Sequence, residues 1–234
     1  MKISLSESFR KRKQEGFFPV ISEIKVRSKK EGDLLGGRDP LDLAREMAAC
    51  PIAGISVVTE SEHFSGSMAL LRQVTCVVDL PVLQKDFITT EDQVRASAEN
   101  GASAVLLITA MLTDGQLVAL TDTARRYGLE SLVEVHDVQE LRRVELLDFD
   151  LLGINNRDIT ILECDDTDVS HTQRLAGFCP VGKLLISESA ISSAEDVRRA
   201  GKSGADAVLV GTAVLRAPSI TELLTEMASV GWPV

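Results

Sequence analysis

The chain is poor in the residues that most often announce chemistry by themselves. Its 234 residues include four cysteines, three histidines, one tryptophan and one tyrosine. Cys50, Cys76, Cys164 and Cys179 are scattered and form no CxxC pair, which reads as small buried hydrophobes in a reducing compartment rather than metal ligands. His63, His136 and His171 lack metal-site spacing, so no metal site is expected. Basic residues are in deficit: 25 Lys and Arg against 35 Asp and Glu give a net charge of −10, which argues against a nucleic-acid partner. An anionic small molecule remains compatible, because a few lysines dominate the field inside a cleft. No apolar run approaches the roughly 20 residues that cross a bilayer. The opening MKISLSESFRKRK lacks the apolar centre of a signal peptide. The expectation is a cytoplasmic protein without a membrane partner, monomeric or at most weakly associating. No linker or low-complexity tract divides the chain, so residues 1–234 read as one domain.

What the sequence does contain is a repeat. Eight short apolar runs recur: Val20–Lys25, Gly54–Glu60, Pro81–Asp86, Ala104–Thr109, Ser131–Val135, Leu151–Asn156, Leu184–Ser189 and Ala207–Gly211. Helical periodicity occupies Asp39–Cys50, Thr89–Gly101, Leu112–Gly128, Asp137–Leu147, Asp168–Phe178, Ser192–Gly204 and Pro218–Val230, with Ser65–Val74 the faintest member. Thr90 and Ser193 precede acids as N-caps should, and Gly101, Gly128 and Gly204 stand where helices end. Strands alternating with helices require a parallel sheet, and eight repeats favour closure into a (β/α)8 TIM barrel. The glycine-rich turn of an open dinucleotide-binding sheet is missing; the charged loop VRSKKEGD follows the first run instead. Residues 1–16, with Leu5 and Phe9 at helical spacing, predict a short N-terminal leading helix.

Such barrels place their chemistry at the carboxyl ends of the strands. Glu23 and Lys25 are two apart on the first strand and therefore point the same way, with Ile24 opposed. They read either as a catalytic pair or as an ion pair plugging the barrel. Lys85 closes the third run; beside Lys25, like charge and desolvation should depress its pKa and let it deliver and regain a proton. Glu134 lies within an apolar strand, where a carboxylate is costly unless paired, and Lys85 and Lys25 are its expected partners. His136 reads as a cap of the following helix. Asn155 ends the sixth run and suits either a substrate contact or turn chemistry. Arg157 is a substrate-binding candidate or a partner for Asp158. The small residues of SESAI and VGTAV, above all Ser189, Ala190, Gly211 and Thr212, let backbone N–H groups approach a phosphate. Ser28, in the loop after the first strand, joins that candidate phosphate set.

The motifs EIKVRS, VLQKDFI, LVEVHD, GINNRD, SESAI and VLVGTA occur in this order between about Pro19 and Leu215, and TESEHFSGS follows the second run. This set resembles the indole-3-glycerol-phosphate synthase family. The resemblance implies ring closure of 1-(2-carboxyphenylamino)-1-deoxyribulose 5-phosphate with loss of carbon dioxide and water, in tryptophan biosynthesis and without a cofactor. It implies that Lys85 is the general acid, that Lys25 engages the substrate's anionic groups, that Glu134 is the second acid/base group and that Glu23 orients the lysines. Asn155 and Ser189 match substrate contacts, Phe64 and Phe87 match aromatic positions on the anthranilate ring, and Gly211 and Thr212 match the phosphate turn.

The chain also departs from the family pattern. Lys29 and Lys30 follow Ser28 where Ser-Pro-Ser is common, Ala190 stands where glycine is usual, and Ser65 replaces asparagine, glutamine or glycine. The leading segment is shorter than the family's, part of which covers the active site. These departures keep open a paralogous barrel enzyme acting on another phosphorylated substrate, and a relict barrel that only binds.

Overall fold

The protein is described by a computed structural model over residues 4–157 and 168–234. Asp158 and Cys164 therefore lie outside the described residues. Among the described residues, the eight strands of the barrel are β1 (Val20–Ile24), β2 (Gly54–Val58), β3 (Val82–Lys85), β4 (Ala104–Ile108), β5 (Glu130–Val135), β6 (Leu151–Asn155), β7 (Leu184–Glu188) and β8 (Ala207–Val210). Each pairs in parallel with its sequence neighbours, and β1 pairs with both β2 and β8, so the sheet closes. The sequence pattern predicts this order because right-handed crossovers lay consecutive parallel strands side by side.

The helices are α1 (Leu5–Gln14), α2 (Pro40–Ala48), α3 (Met68–Val77), α4 (Glu91–Glu99), α5 (Asp114–Arg126), α6 (Val138–Val144), α7 (Ser170–Leu175), α8 (Ala194–Lys202), α9 (Thr212–Arg216) and α10 (Ile220–Ala228). Their starts are chemically marked. Thr90, Thr113 and Ser193 form reciprocal capping boxes with Gln93, Gln116 and Asp196. The faint Ser65–Val74 periodicity becomes α3, capped by Ser67. The loop VRSKKEGD is not irregular throughout: Arg27–Ser28 pairs with Gly32–Asp33 as a small hairpin.

Alternation along the strands divides the core into two. Ile24, Val57, Val105, Val133 and Ile154 face the helical shell, whereas Ile21, Leu83, Leu106, Leu132, Ile186 and Leu209 fill the lumen. The leading helix belongs to the second group. Leu5 and Phe9 are fully buried against the lumen residues. Ser4 Oγ and the Leu5 N–H donate to Glu130 at 2.6 and 2.7 Å, Ser8 Oγ donates to the Ala53 carbonyl at 2.6 Å, and Arg12 Nε donates to the Ile52 carbonyl at 2.8 Å. All these anchors lie at the amino ends of strands. Helix α1 thus closes the bottom of the barrel, away from the face where the resemblance places a covering extension. Among the described residues no helix is long and apolar enough to cross a membrane.

Candidate active site

At the carboxyl ends of the strands a cavity of about 650 Å³ opens above the lumen packing. Glu23, Lys25, Lys85, Glu134 and Asn155 line it, as do Phe64 and Phe87. Arg157, Ser189, Ala190, Gly211 and Thr212 complete the predicted set on its walls. Ser28 stands apart from this lining; its buried hydroxyl accepts the Glu31 N–H at 3.0 Å and serves the hairpin turn.

Lys85 occupies the centre. Its Nζ donates to Glu188 Oε2 at 2.9 Å and lies 3.8 Å from Glu23 Oε2 and 4.0 Å from Glu134 Oε2. Lys25 pairs with Glu23 at 3.5 Å, with its Nζ 5.6 Å from the centre of the Phe64 ring. Glu188 is the partner that sequence reasoning missed. It is fully buried at the end of β7, and a carboxylate closing the apolar run LLISE was the same signal that drew attention to Glu134.

This missed residue overturns the expected depressed pKa of Lys85. Burial does push the amine down, but the carboxylates of Glu188, Glu23 and Glu134 outweigh it and hold Lys85 well above the ordinary lysine value. Lys85 is an ammonium across the physiological range, able to donate a proton and be recharged by the acids around it.

The two acids beside it are driven apart. Glu188 is raised from 4.5 to about 7, mainly by burial and further by the charges of Glu134 and Glu23, against the pull of Lys85. Glu134 is also buried, yet the His136 hydrogen bond, the Lys85 charge and the Asn155 amide together hold it below the ordinary glutamate value. One carboxyl thus holds a proton readily near neutrality while its neighbour is a fixed anion, the division of labour that acid/base catalysis needs.

His136 is not the cap of α6. Asp137 takes that role, its side chain accepting the Glu140 N–H at 2.8 Å. The His136 ring instead reaches back to Glu134. Asn155 takes the turn role, its Oδ1 accepting the Arg157 N–H at 3.0 Å, and its side chain also bonds Glu134, a partner not foreseen for it.

Two glycines make room for these groups. A Cβ on Gly153 of β6 would lie 2.1 Å from Glu188 Oε1, and one on Gly211 would lie 2.6 Å from Glu23 Oε1. The chain bends sharply at three non-glycine residues around the mouth: Ser65 (φ 54°), Ser189 (φ 67°) and Ala190 (φ 55°). The last explains why the family favours glycine there: Ala190 adopts the left-handed backbone that glycine takes without penalty. The Ser189 carbonyl is held by Asn156 Nδ2 at 3.2 Å, which also donates to the Ser187 hydroxyl and the Glu188 carbonyl at 3.0 Å each.

Among the described residues, Glu60, Glu62 and His63 bring potential metal-binding atoms within 4.8 Å of one another. Glu60 is already committed, because it accepts the N–H groups of Glu62, His63 and Phe64 at 2.8, 2.7 and 3.2 Å and so shapes the loop carrying Phe64.

A fold match at low identity accompanies this geometry: a solved structure from Aquifex aeolicus superposes with a TM-score of 0.69 over 96% of this chain and 98% of that one, at 15% identity, which speaks to the barrel alone. Sequence comparison goes further. The profile described as indole-3-glycerol phosphate synthase matches residues 1–227. An indole-3-glycerol phosphate synthase of Thermococcus kodakarensis is 43% identical over 98% of this chain and 99% of its own, and that of Pyrococcus furiosus is 46% identical over 94% of each. The chain belongs to the indole-3-glycerol phosphate synthase family.

Proposed function

We propose that this barrel converts 1-(2-carboxyphenylamino)-1-deoxyribulose 5-phosphate into indole-3-glycerol phosphate, carbon dioxide and water. The observation that carries the assignment is the Lys85 ammonium held among Glu188, Glu23 and Glu134 at the cavity mouth. In ring closure the aromatic carbon bearing the carboxylate attacks the ketone carbon. A C–C bond forms, and the carbonyl oxygen takes up a proton as its charge develops. Lys85 is placed to supply that proton, and the carboxylates around it to restore its own. Breaking the bond to the carboxylate then releases carbon dioxide and returns the electron pair to the ring. Dehydration follows: the new hydroxyl leaves as water after accepting a proton, and a second proton is removed from the ring being formed. Glu134, held ionised, suits the proton acceptor; Glu188, which carries a proton readily near pH 7, suits the donor.

Lys25 faces the same cavity and offers its ammonium to the substrate carboxylate, while Phe64 and Phe87 provide apolar walls for the aromatic ring. Gly211, Thr212 and the backbone at Ser189 and Ala190 form the wall suited to the phosphate; Ser28, committed to its turn, acts there only through the hairpin it shapes. Cys50, Cys76 and Cys179 are free thiols, in keeping with a cytoplasmic setting.

Turnover of the carboxyphenylamino-deoxyribulose phosphate, followed through indole absorbance, tests the assignment. Lys85→Met is expected to lower turnover by at least about 100-fold, the usual worth of a positioned acid, with the circular dichroism spectrum unchanged. Absence of product from the folded wild-type protein would refute the assignment.

A further inference from the structure

His136 lies one residue beyond β5, on the same side of the chain as Glu134, and it is largely buried. Its Nε2 is 3.3 Å from Glu134 Oε1 and its Nδ1 is 3.0 Å from Glu140 Oε2. Glu140 lies on α6 and is itself fixed: its Oε2 accepts the His136 backbone N–H at 2.8 Å, and its own N–H donates to Asp137. The imidazole therefore has a carboxylate beside each nitrogen: Nδ1 is hydrogen-bonded to Glu140, and the buried Nε2 lies within ion-pair distance of Glu134, its nearest counter-charge, without a well-aligned hydrogen bond. A neutral imidazole has one N–H and satisfies only one such acceptor; the doubly protonated ring satisfies both.

We propose that His136 is a positioning residue that, as an imidazolium clamped between Glu140 and Glu134, fixes the orientation of the Glu134 carboxylate and keeps it ionised. The inference rests on the role given above to Glu134, and it assigns His136 no contact with the substrate. The charged groups around the clamp agree with it. Glu134 faces the ring from β5 and Glu140 from α6, and the cation beyond Glu134 is Lys85 on β3, 4.0 Å from its other oxygen. Glu188 and Glu23 also pair with Lys85 and offset much of its charge. Burial opposes protonation of His136, but its two carboxylate partners prevail and push it up to about 10. Glu140 thus reaches the acid/base centre through one ring, in the way a carboxylate behind a histidine sets its tautomer and charge in other sites.

Two measurements decide the matter. Nitrogen chemical shifts of the imidazole, recorded from pH 6 to 10, are expected to show both nitrogens protonated at pH 8 in the wild-type protein, and a lower midpoint in Glu140→Gln and in Glu134→Gln. A neutral His136 at pH 7, or a midpoint that neither variant moves, would overturn the proposal whether or not the protein turns over substrate. The kinetic arm uses Glu140→Gln, which lies outside the cavity, and His136→Gln. Each is expected to lower kcat by about 10-fold with little change in KM, and to move the acidic limb of the kcat profile upward as Glu134 gains affinity for a proton. Unchanged kcat and unchanged profiles in both would equally overturn it. Failure of the wild-type protein to make product bears on the assigned reaction, while the spectroscopic arm still judges the clamp.

Discussion

Ala190 shows how one departure from the family pattern is accommodated in the backbone. A methyl group at the turn proposed to receive the phosphate invites the expectation of a displaced backbone. The observed φ of 55° means the chain keeps the glycine-like conformation and bears the strain locally. Ala190→Gly is therefore expected to raise stability by about 1 kcal/mol, the left-handed penalty less the greater freedom glycine has when unfolded. Chemical denaturation would register this as a higher midpoint at constant slope. A lower midpoint would mean that the alanine methyl gains more in packing than it loses in strain. Lys85 teaches a complementary lesson. Beside Lys25, like charge and burial were expected to make it lose its proton early. The carboxylates of Glu188, Glu23 and Glu134 together reverse the sign, and Glu188, the nearest of them, was the one unforeseen.

Strand β6 acts through what it omits. Gly153 pairs with Glu134 on one neighbour and Ile186 on the other, and its missing side chain is the space that Glu188 occupies. A methyl there meets a carboxylate oxygen and the Leu132 side chain at 3.3 Å, so Glu188 must swing away from Lys85. Gly153→Ala is expected to cost about 1–3 kcal/mol of stability through overpacking and to reduce turnover at least about 10-fold. A variant as active as the wild type would show that the Lys85–Glu188 contact is dispensable. The element explains why a glycine in an otherwise apolar strand matters here: it marks a close approach from the adjacent strand across the lumen wall.

The whole barrel separates stability from chemistry along its axis. Helix α1 seals the amino end with Leu5 and Phe9, while the charged groups occupy the carboxyl end. Phe9→Ala is expected to lose about 3–5 kcal/mol, as large buried aromatics do, yet to leave KM of the folded fraction unchanged. Thermal melting together with kinetics below the transition would test both halves. The pH dependence of stability follows from the clamp. A histidine raised from 6.5 to about 10 by its partners contributes stability in full below pH 6.5 and loses it as pH rises through 10. Glu188, raised from 4.5 to about 7, adds a loss of the same sign between those values, because its charged form is disfavoured in the folded state. The melting temperature of the wild-type protein should fall from pH 6.5 to 10, and His136→Gln should flatten that slope. Parallel slopes would remove the histidine from the account.

Local rules sufficed for much of this molecule. Alternation of period two told which side of β1 carries Glu23 and Lys25, and Thr90 and Ser193 ahead of acids announced where two helices begin, because these choices depend on residues only a few positions apart. Lys85 and Glu188 are different. They stand on β3 and β7, four strands apart around an eight-stranded ring, and they meet only because the sheet closes on itself and turns both side chains toward one axis. No spacing within either segment encodes that contact. The same holds for α1, whose apolar face was plain from Leu5 and Phe9 but whose docking at the bottom of the barrel depended on a lumen left open for it. Protonation states, being sums over every charge within reach, waited on the closed barrel for the same reason.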